Sequence, residues 1–227
     1  MSTKNSKNYS NESVKEYYHS IGLYDSIIYK KNKTNQNLSK EEIVESLLLK
    51  NKKLSNKVTG TNKKIILSNK NYKSKIMVLG DMPSQKDIDN NELFSDDSGE
   101  LLTKMLGAIS IDSSQVYLAN IIPFYLTKEE SKNIKKYNSL LRKIVHEHIS
   151  AINPETILLL GSFALQTLFG EEYSIAKNRG QWLSYSAANN SINIIPSFHP
   201  TFLLKQPSQK KKSWEDLQEL QKKLNNA

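Results

Sequence analysis

The sequence predicts an α/β fold built on a parallel sheet that is buried on both faces. Two observations carry this. Four short β-rich runs recur after residue 75: KIMVLG ending in Gly80, SQVYLANI ending near Asn120, ETILLLG ending at Gly161 and SINIIPS ending at Ser197. Helical patterns separate them, over roughly 98–109, 128–150 and 162–169. The runs are nearly continuous in apolar residues and lack the alternation of a sheet with one wet face. Strands alternating with helices in this way build parallel sheets.

The chain ahead of these runs has a different texture. Lys, Asn and Ser dominate residues 1–73. Two helical pieces are predicted there. In ESVKEYYHSIGLYDSIIY, Val14, Tyr17, Tyr18 and Ile21 fall at helix spacing. In SKEEIVESLLLKNKKL, Ser39 stands three residues before Glu42 as a capping box, and Ile43, Leu47 and Leu48 form an apolar stripe. The intervening KKNKTNQNLSK reads as a flexible linker. The expected organisation is a Lys/Asn-rich helical and linker segment over 1–73 and an α/β domain over 74–227, with no internal repeat.

Composition narrows the chemistry. The chain has 227 residues and a net charge of +9, which makes a polyanion a candidate partner. Most of its lysines are scattered, as on an ordinary solvated surface. It contains no cysteine, so disulfides, thiolate metal sites, iron–sulfur clusters and a cysteine nucleophile are excluded. The polar start MSTKNSKNYSNES has no apolar core of a signal peptide, and no run reaches membrane-spanning length. A cytoplasmic protein is expected, with no membrane partner.

In parallel sheets ligands bind beyond the carboxyl ends of the strands. The polar residues there are Asp81, Asn120, Ser162 and His199. The loop GDMPSQKDIDNNELF follows the first strand; Gly80 permits tight backbone geometry and Pro83 stiffens it. Phe94 closes this loop, either as core or as a flat face for a planar base. The Asn120 carboxamide carries a donor beside an acceptor, which matches the N3–H and O4 edge of uracil and mismatches cytosine. An imidazole at 199 can donate to a carbonyl oxygen that gains negative charge. His146 and His148, two apart on a helix, make a poor metal pair, and no metal-ligand cluster is visible.

Several motifs, in order, resemble the uracil-DNA glycosylase superfamily, and within it the family-four branch, over roughly 75–217. VLGDMPSQKDIDNNELFSDDSGELLTKML is similar to that branch's GEAPG loop and PFVG-x-AG-x-LL segment. VYLAN is similar to its VYITN, ILLLGSFA to its strand and LG-x-x-A turn, and RGQW to its RG element. SFHPTFLLKQP…SWEDL is similar to YHPAYLLR-x-P and the following W-x-DL.

This resemblance implies a three-layer α/β/α sandwich around a four-stranded parallel sheet. It implies a monomeric hydrolase that flips uracil out of single- or double-stranded DNA and cleaves its N-glycosidic bond, leaving an abasic site, with no cofactor. By position, Asp81 assists the attacking water and His199 stabilises the departing base at O2. Phe94 stacks the base and Asn120 reads its edge, with Gly80, Met82, Pro83 and Ser84 around them. Ser162, Arg179, Pro200, Thr201, Phe202, Leu203 and Lys205 are the expected DNA contacts, the apolar tip at 200–204 acting as a wedge. Lys210, Lys211 and Lys212 add a basic run that can meet phosphates.

The chain departs from the branch in ways that matter. The branch's four cluster-holding cysteines are absent, with Ile122-Pro123 where one is expected. Packing must replace the cluster, and the N-terminal segment is a candidate to cover that side. Asp81 replaces Glu, Met82 a small residue and Ser84 a Gly. The shortened carboxylate and the lost cluster motivate one alternative, a non-catalytic DNA-binding relative; a further reading is a glycosylase for another deaminated base such as hypoxanthine.

Overall fold

The computed structural model describes residues 38–187 and 190–226. The helix expected near Val14–Ile21, together with His19, lies outside the described residues. Residues 40–227 form one compact unit. Its elements are α1 (Lys40–Thr59), β1 (Ile76–Gly80), α2 (Gln85–Asn90), α3 (Asp97–Gly107), β2 (Val116–Asn120), α4 (Lys128–Ser131), α5 (Asn138–Ile152), β3 (Thr156–Leu160), α6 (Ser162–Phe169), α7 (Ile175–Asn178), β4 (Leu183–Ala187), β5 (Asn190–Ser197), α8 (Pro200–Lys205) and α9 (Lys210–Asn225). Among the described residues no helix is long and apolar enough to cross a membrane.

The sheet has five strands in the order β2-β1-β3-β5-β4. The first four run parallel, as expected, while β4 pairs antiparallel to β5 at the edge. The four-stranded expectation is therefore one strand short. LSYSA of β4 has no unbroken apolar run, and its pairing with β5 makes it a strand.

Side chains of each parallel strand alternate between two cores. Met77, Leu79, Ile157 and Leu159 point to one, which α1, α5 and α6 cover with Leu54, Ile149 and Leu165. Val78, Leu158 and Leu160 point to the other, covered by α3, α8 and α9 through Leu106, Leu203 and Leu217. Both faces are dry, which is why the strands read as continuous apolar runs. This is the three-layer sandwich.

Residues after α1 close the free edge of β2. Asn69 Nδ2 donates to Val116 O at 2.9 Å, and its Oδ1 accepts from Leu118 N at 3.0 Å. Ser68 bridges Ala119, and the Ile66 N–H donates to Pro123 O at 2.8 Å. Ile122 and Pro123 are buried beneath this strap. With no cysteine in the chain, the donor set for a thiolate-held cluster does not exist here.

Candidate active site

The carboxyl ends of β1, β2 and β5 bring three side chains together over one α-carbon. Gly80 ends β1 directly opposite Asn120 on β2. A Cβ built on Gly80 would lie 2.4 Å from Asn120 Oδ1, 2.9 Å from Phe94 Cζ and 3.4 Å from His199 Nε2. The missing side chain of Gly80 is thus the floor of a shared pocket. Ile121 N–H bonds to Gly80 O at 2.9 Å and Ile122 N–H to Asp81 O at 3.0 Å, so the two strand ends stay in register past the sheet.

Phe94 forms one wall, and its position depends on backbone geometry. It sits at φ 56°, a left-handed conformation that costs a non-glycine residue energy. Its carbonyl presses on α3, where a Cβ on Gly99 would come within 1.6 Å of Phe94 O. Asp87, buried at 4% exposure, ties the two ends of the loop together. Its carboxylate accepts from Ser84 N at 2.9 Å, Ser95 N at 2.7 Å and Ser95 Oγ at 3.0 Å. Asp96 caps α3 by accepting from Ser98 N and Gly99 N at 3.0 and 3.2 Å. The roles of Asp87 and Gly99 were missed in the sequence, although Ser84-Gln-Lys-Asp87 carries the capping-box spacing that signals the first.

His199 caps α8 and faces Phe94, the two rings 6.1 Å apart between centroids and inclined by 27°. Its Nδ1 accepts from Thr201 N at 3.2 Å, which leaves the proton on Nε2. Burial lowers its pKa to about 4, against an upward pull from Asp96 and Asp87. The ring is therefore a neutral Nε2–H donor near neutral pH. Both His199 Nε2 and Asn120 Oδ1 are buried without a hydrogen-bond partner. Two orphaned polar atoms, one donor and one acceptor, face the same small space, and buried polar groups are generally met by protein, water or a ligand.

Asp81 lies beside this group, against the start of α6. Ala164 N–H donates to its Oδ1 at 2.8 Å. A Cβ on Gly161, at φ 104°, would come within 2.5 Å of Asp81 Oδ2, so glycine there makes room for the carboxylate. Burial raises the Asp81 pKa to about 7, and the Ala164 hydrogen bond offsets part of that rise.

The neighbouring loop residues have visible structural uses. Ser84 caps α2, its Oγ accepting from Asp87 N at 3.1 Å. Pro83 is buried, and half-buried Met82 packs against the α5-side core. Among the described residues no group of three His, Cys, Asp or Glu could hold a metal ion.

The expected DNA contacts divide. Ser162, Thr201, Phe202 and Lys205 are exposed, as is Leu204. Phe202 and Leu204 are 40% and 42% exposed. Pro200 and Leu203 are not: both are buried, Leu203 at 1% in the α3–α9 core. The reason is that 200–205 is a helical turn rather than an open loop, and three-residue spacing puts Pro200 and Leu203 on its inner side. Arg179 is also turned inward, its Nη2 2.6 Å from Asp216 Oδ1 beneath β5.

Comparison with known proteins agrees with this geometry. Residues 68–218 match the model of the uracil DNA glycosylase superfamily. The chain is similar to the type-4 uracil-DNA glycosylase of Thermotoga maritima, at 28% identity over 149 residues, 63% of this chain and 73% of that protein. It is similar to the enzyme of the same name from Archaeoglobus fulgidus, at 26% over 141 residues, 60% of this chain and 70% of that one. For that of Saccharolobus solfataricus the identity is 26% over 163 residues, 68% of this chain and 73% of the relative. The family match spans all five strands of the sheet and every residue of the pocket. The relatives it matches are type-4 enzymes, and the chain belongs to the uracil-DNA glycosylase superfamily.

Proposed function

We propose that this protein removes uracil from DNA by hydrolysing the N-glycosidic bond and leaves an abasic site. The observation that carries the reading is the convergence of Phe94, Asn120 and His199 over Gly80, with Asn120 Oδ1 and His199 Nε2 left unpaired. A flipped uracil supplies partners for both. Its N3–H meets the Asn120 oxygen, its O4 meets the Asn120 amide, and its O2 meets the His199 Nε2–H. Cytosine lacks the N3–H, so the Asn120 oxygen would stay orphaned, and that is a large penalty in a dry site.

As the C1′–N1 bond breaks, the electron pair moves onto the base and the sugar becomes oxocarbenium-like. A neutral donor already aimed at O2 stabilises that charge without reorganising. Water adds to C1′ and gives up its proton to Asp81, whose Oδ1 is held by Ala164 so that Oδ2 is left to orient the water. Phe202 and Leu204, exposed on α8, fill the gap in the stack, since extrusion of a base costs a few kcal/mol. Ser162, Lys205 and the lysines at 210–212 lie at the surface where phosphates can be met. The protein acts as a monomer in the cytoplasm.

The test is strand cleavage after alkali, using single- and double-stranded oligonucleotides with one uracil, cytosine, thymine or hypoxanthine. Uracil strands are cut by the wild type, and Asn120→Ala and His199→Ala lose most of that activity. No cutting at high enzyme concentration, with retained binding to uracil-bearing or abasic DNA, would instead identify a non-catalytic relative. Cutting confined to hypoxanthine would move the assignment to another deaminated base.

A further inference from the structure

We infer that Arg179 and Asp216 are positioning residues that set the His199 turn from the C-terminal helix, an inference that rests on the glycosylase reading above. The pair is nearly enclosed, with side chains 15% and 1% exposed. Arg179 Nε donates to Asp216 Oδ2 at 3.1 Å, and Nη2 lies 2.6 Å from Oδ1 as an ion pair without the geometry of a hydrogen bond. Nη2 also donates to the carbonyl of Lys212 at the start of α9. Gly180 is what admits the carboxylate: at φ 71°, a Cβ there would stand 2.5 Å from Asp216 Oδ1.

The pair reaches His199 by two routes. Ser197 Oγ, fully buried at the end of β5, donates to Asp216 Oδ2 at 2.6 Å, two residues before His199. The Arg179 guanidinium also lies 5.8 Å from the ring centre of Phe198, which packs on Phe202 with centroids 4.9 Å apart. The two residues that precede His199 are therefore held by the Arg179–Asp216 pair, and Phe202 on its far side packs on one of them. Its own carbonyl accepts from Phe202 N at 2.9 Å, so the ring, the turn and the exposed face of α8 move as one piece. A buried ion pair adds little net stability over apolar packing, so a role for this one is sought in the geometry it sets.

Three variants test this: Asp216→Asn, Arg179→Lys and Ser197→Ala, each first checked for a cooperative melt. If Asp216→Asn does not fold, the other two still carry the test. Steady-state cutting of uracil-containing DNA should show kcat reduced roughly tenfold to a hundredfold, the scale of an ångström of misplacement, with KM little changed. The dependence of KM on salt should be unaltered. A raised KM with a log–log salt slope smaller by about one, at unchanged kcat, would mean that Arg179 meets a phosphate and would overturn the proposal. Imidazole-nitrogen NMR supplies a readout that does not need turnover. The His199 resonances, assigned with His199→Gln, should shift away from a pure Nε2–H tautomer in the variants. Unmoved resonances overturn the positioning role even if the wild type cuts nothing, whereas shifted resonances beside an inert wild type would sink the glycosylase reading and leave the coupling standing.

Discussion

Gly80 and Asn120 end neighbouring parallel strands opposite each other, and the Asn120 carboxamide oxygen fills the place where a side chain at 80 would begin, 2.4 Å from a Cβ built there. The relationship predicts the effect of the smallest possible substitution. In Gly80→Ala the added methyl meets Asn120 Oδ1 and Phe94 Cζ, both side-chain atoms, so the pocket deforms before the backbone does. Cutting of uracil-containing DNA should fall at least about a hundredfold, as misplacement by an ångström would give. The melting temperature should change far less than the rate. Retained activity would mean that the base does not lie over Gly80.

The Asp81 carboxyl, raised to about 7 by burial, should appear in the pH profile. As a proton acceptor it works in its ionised form, so kcat should rise with pH through about 7 and then level. Asp81→Asn should flatten this limb at a low rate. Stability follows the opposite sign. A carboxyl whose pKa is raised on folding favours the folded state while protonated, so its contribution is full below about 4 and is lost as pH rises through about 7. Urea midpoints of wild type minus Asp81→Asn, measured across pH 4 to 8, check this.

For His199 the shift is downward, to about 4. Its contribution to stability is therefore present above about pH 6.5 and is lost as pH falls through about 4. The catalytic consequence is that no histidine limb should appear in kcat between pH 5 and 8, because the ring is neutral throughout. His199→Ala should cost roughly a hundredfold to a thousandfold in kcat, the usual value of one preorganised donor at a developing anion. A limb near pH 6.5 that vanishes in this variant would show that the imidazolium, not the neutral ring, does the work.

Adjacent residues of α8 should behave in opposite ways. Leu203→Ala empties a site in the α3–α9 core and should destabilise the protein by about 2–5 kcal/mol in denaturant unfolding. Leu204→Ala removes an exposed side chain and should leave the melting temperature nearly unchanged. Its effect should fall on duplex DNA and spare single strands, where no stacked partner has to be parted. Equal losses on both substrates would remove the wedge role.

Much of the site was legible because it follows from periodicity and from strand ends. The carboxyl ends of parallel strands must share one edge of the sheet, so Gly80, Asp81, Asn120 and His199 could be set side by side without coordinates. Leu203 was misplaced because an FLL run reads as a greasy tip until a helical turn assigns one of its leucines to the core. Arg179 was expected at DNA from its place in the RG element; it turns instead to Asp216, 37 residues away in sequence. Asn69 gave no signal at all, since an amide that stands in for a strand's peptide has no pattern of its own.

By itself the sequence determined the layered α/β architecture, the absence of any thiolate chemistry and the placing of Gly80, Asp81, Asn120 and His199 at strand ends. Those rest on local properties: unbroken apolar runs, helix spacing, and the kinds of atom each side chain carries. Tertiary structure alone decided that His199 is neutral and points Nε2–H inward, that Asp81 titrates near 7, and that Phe94 is held at a left-handed backbone angle by Asp87 and Gly99. Each of these depends on desolvation or on contact between segments distant in the chain, and neither quantity exists until the chain has folded around the group concerned.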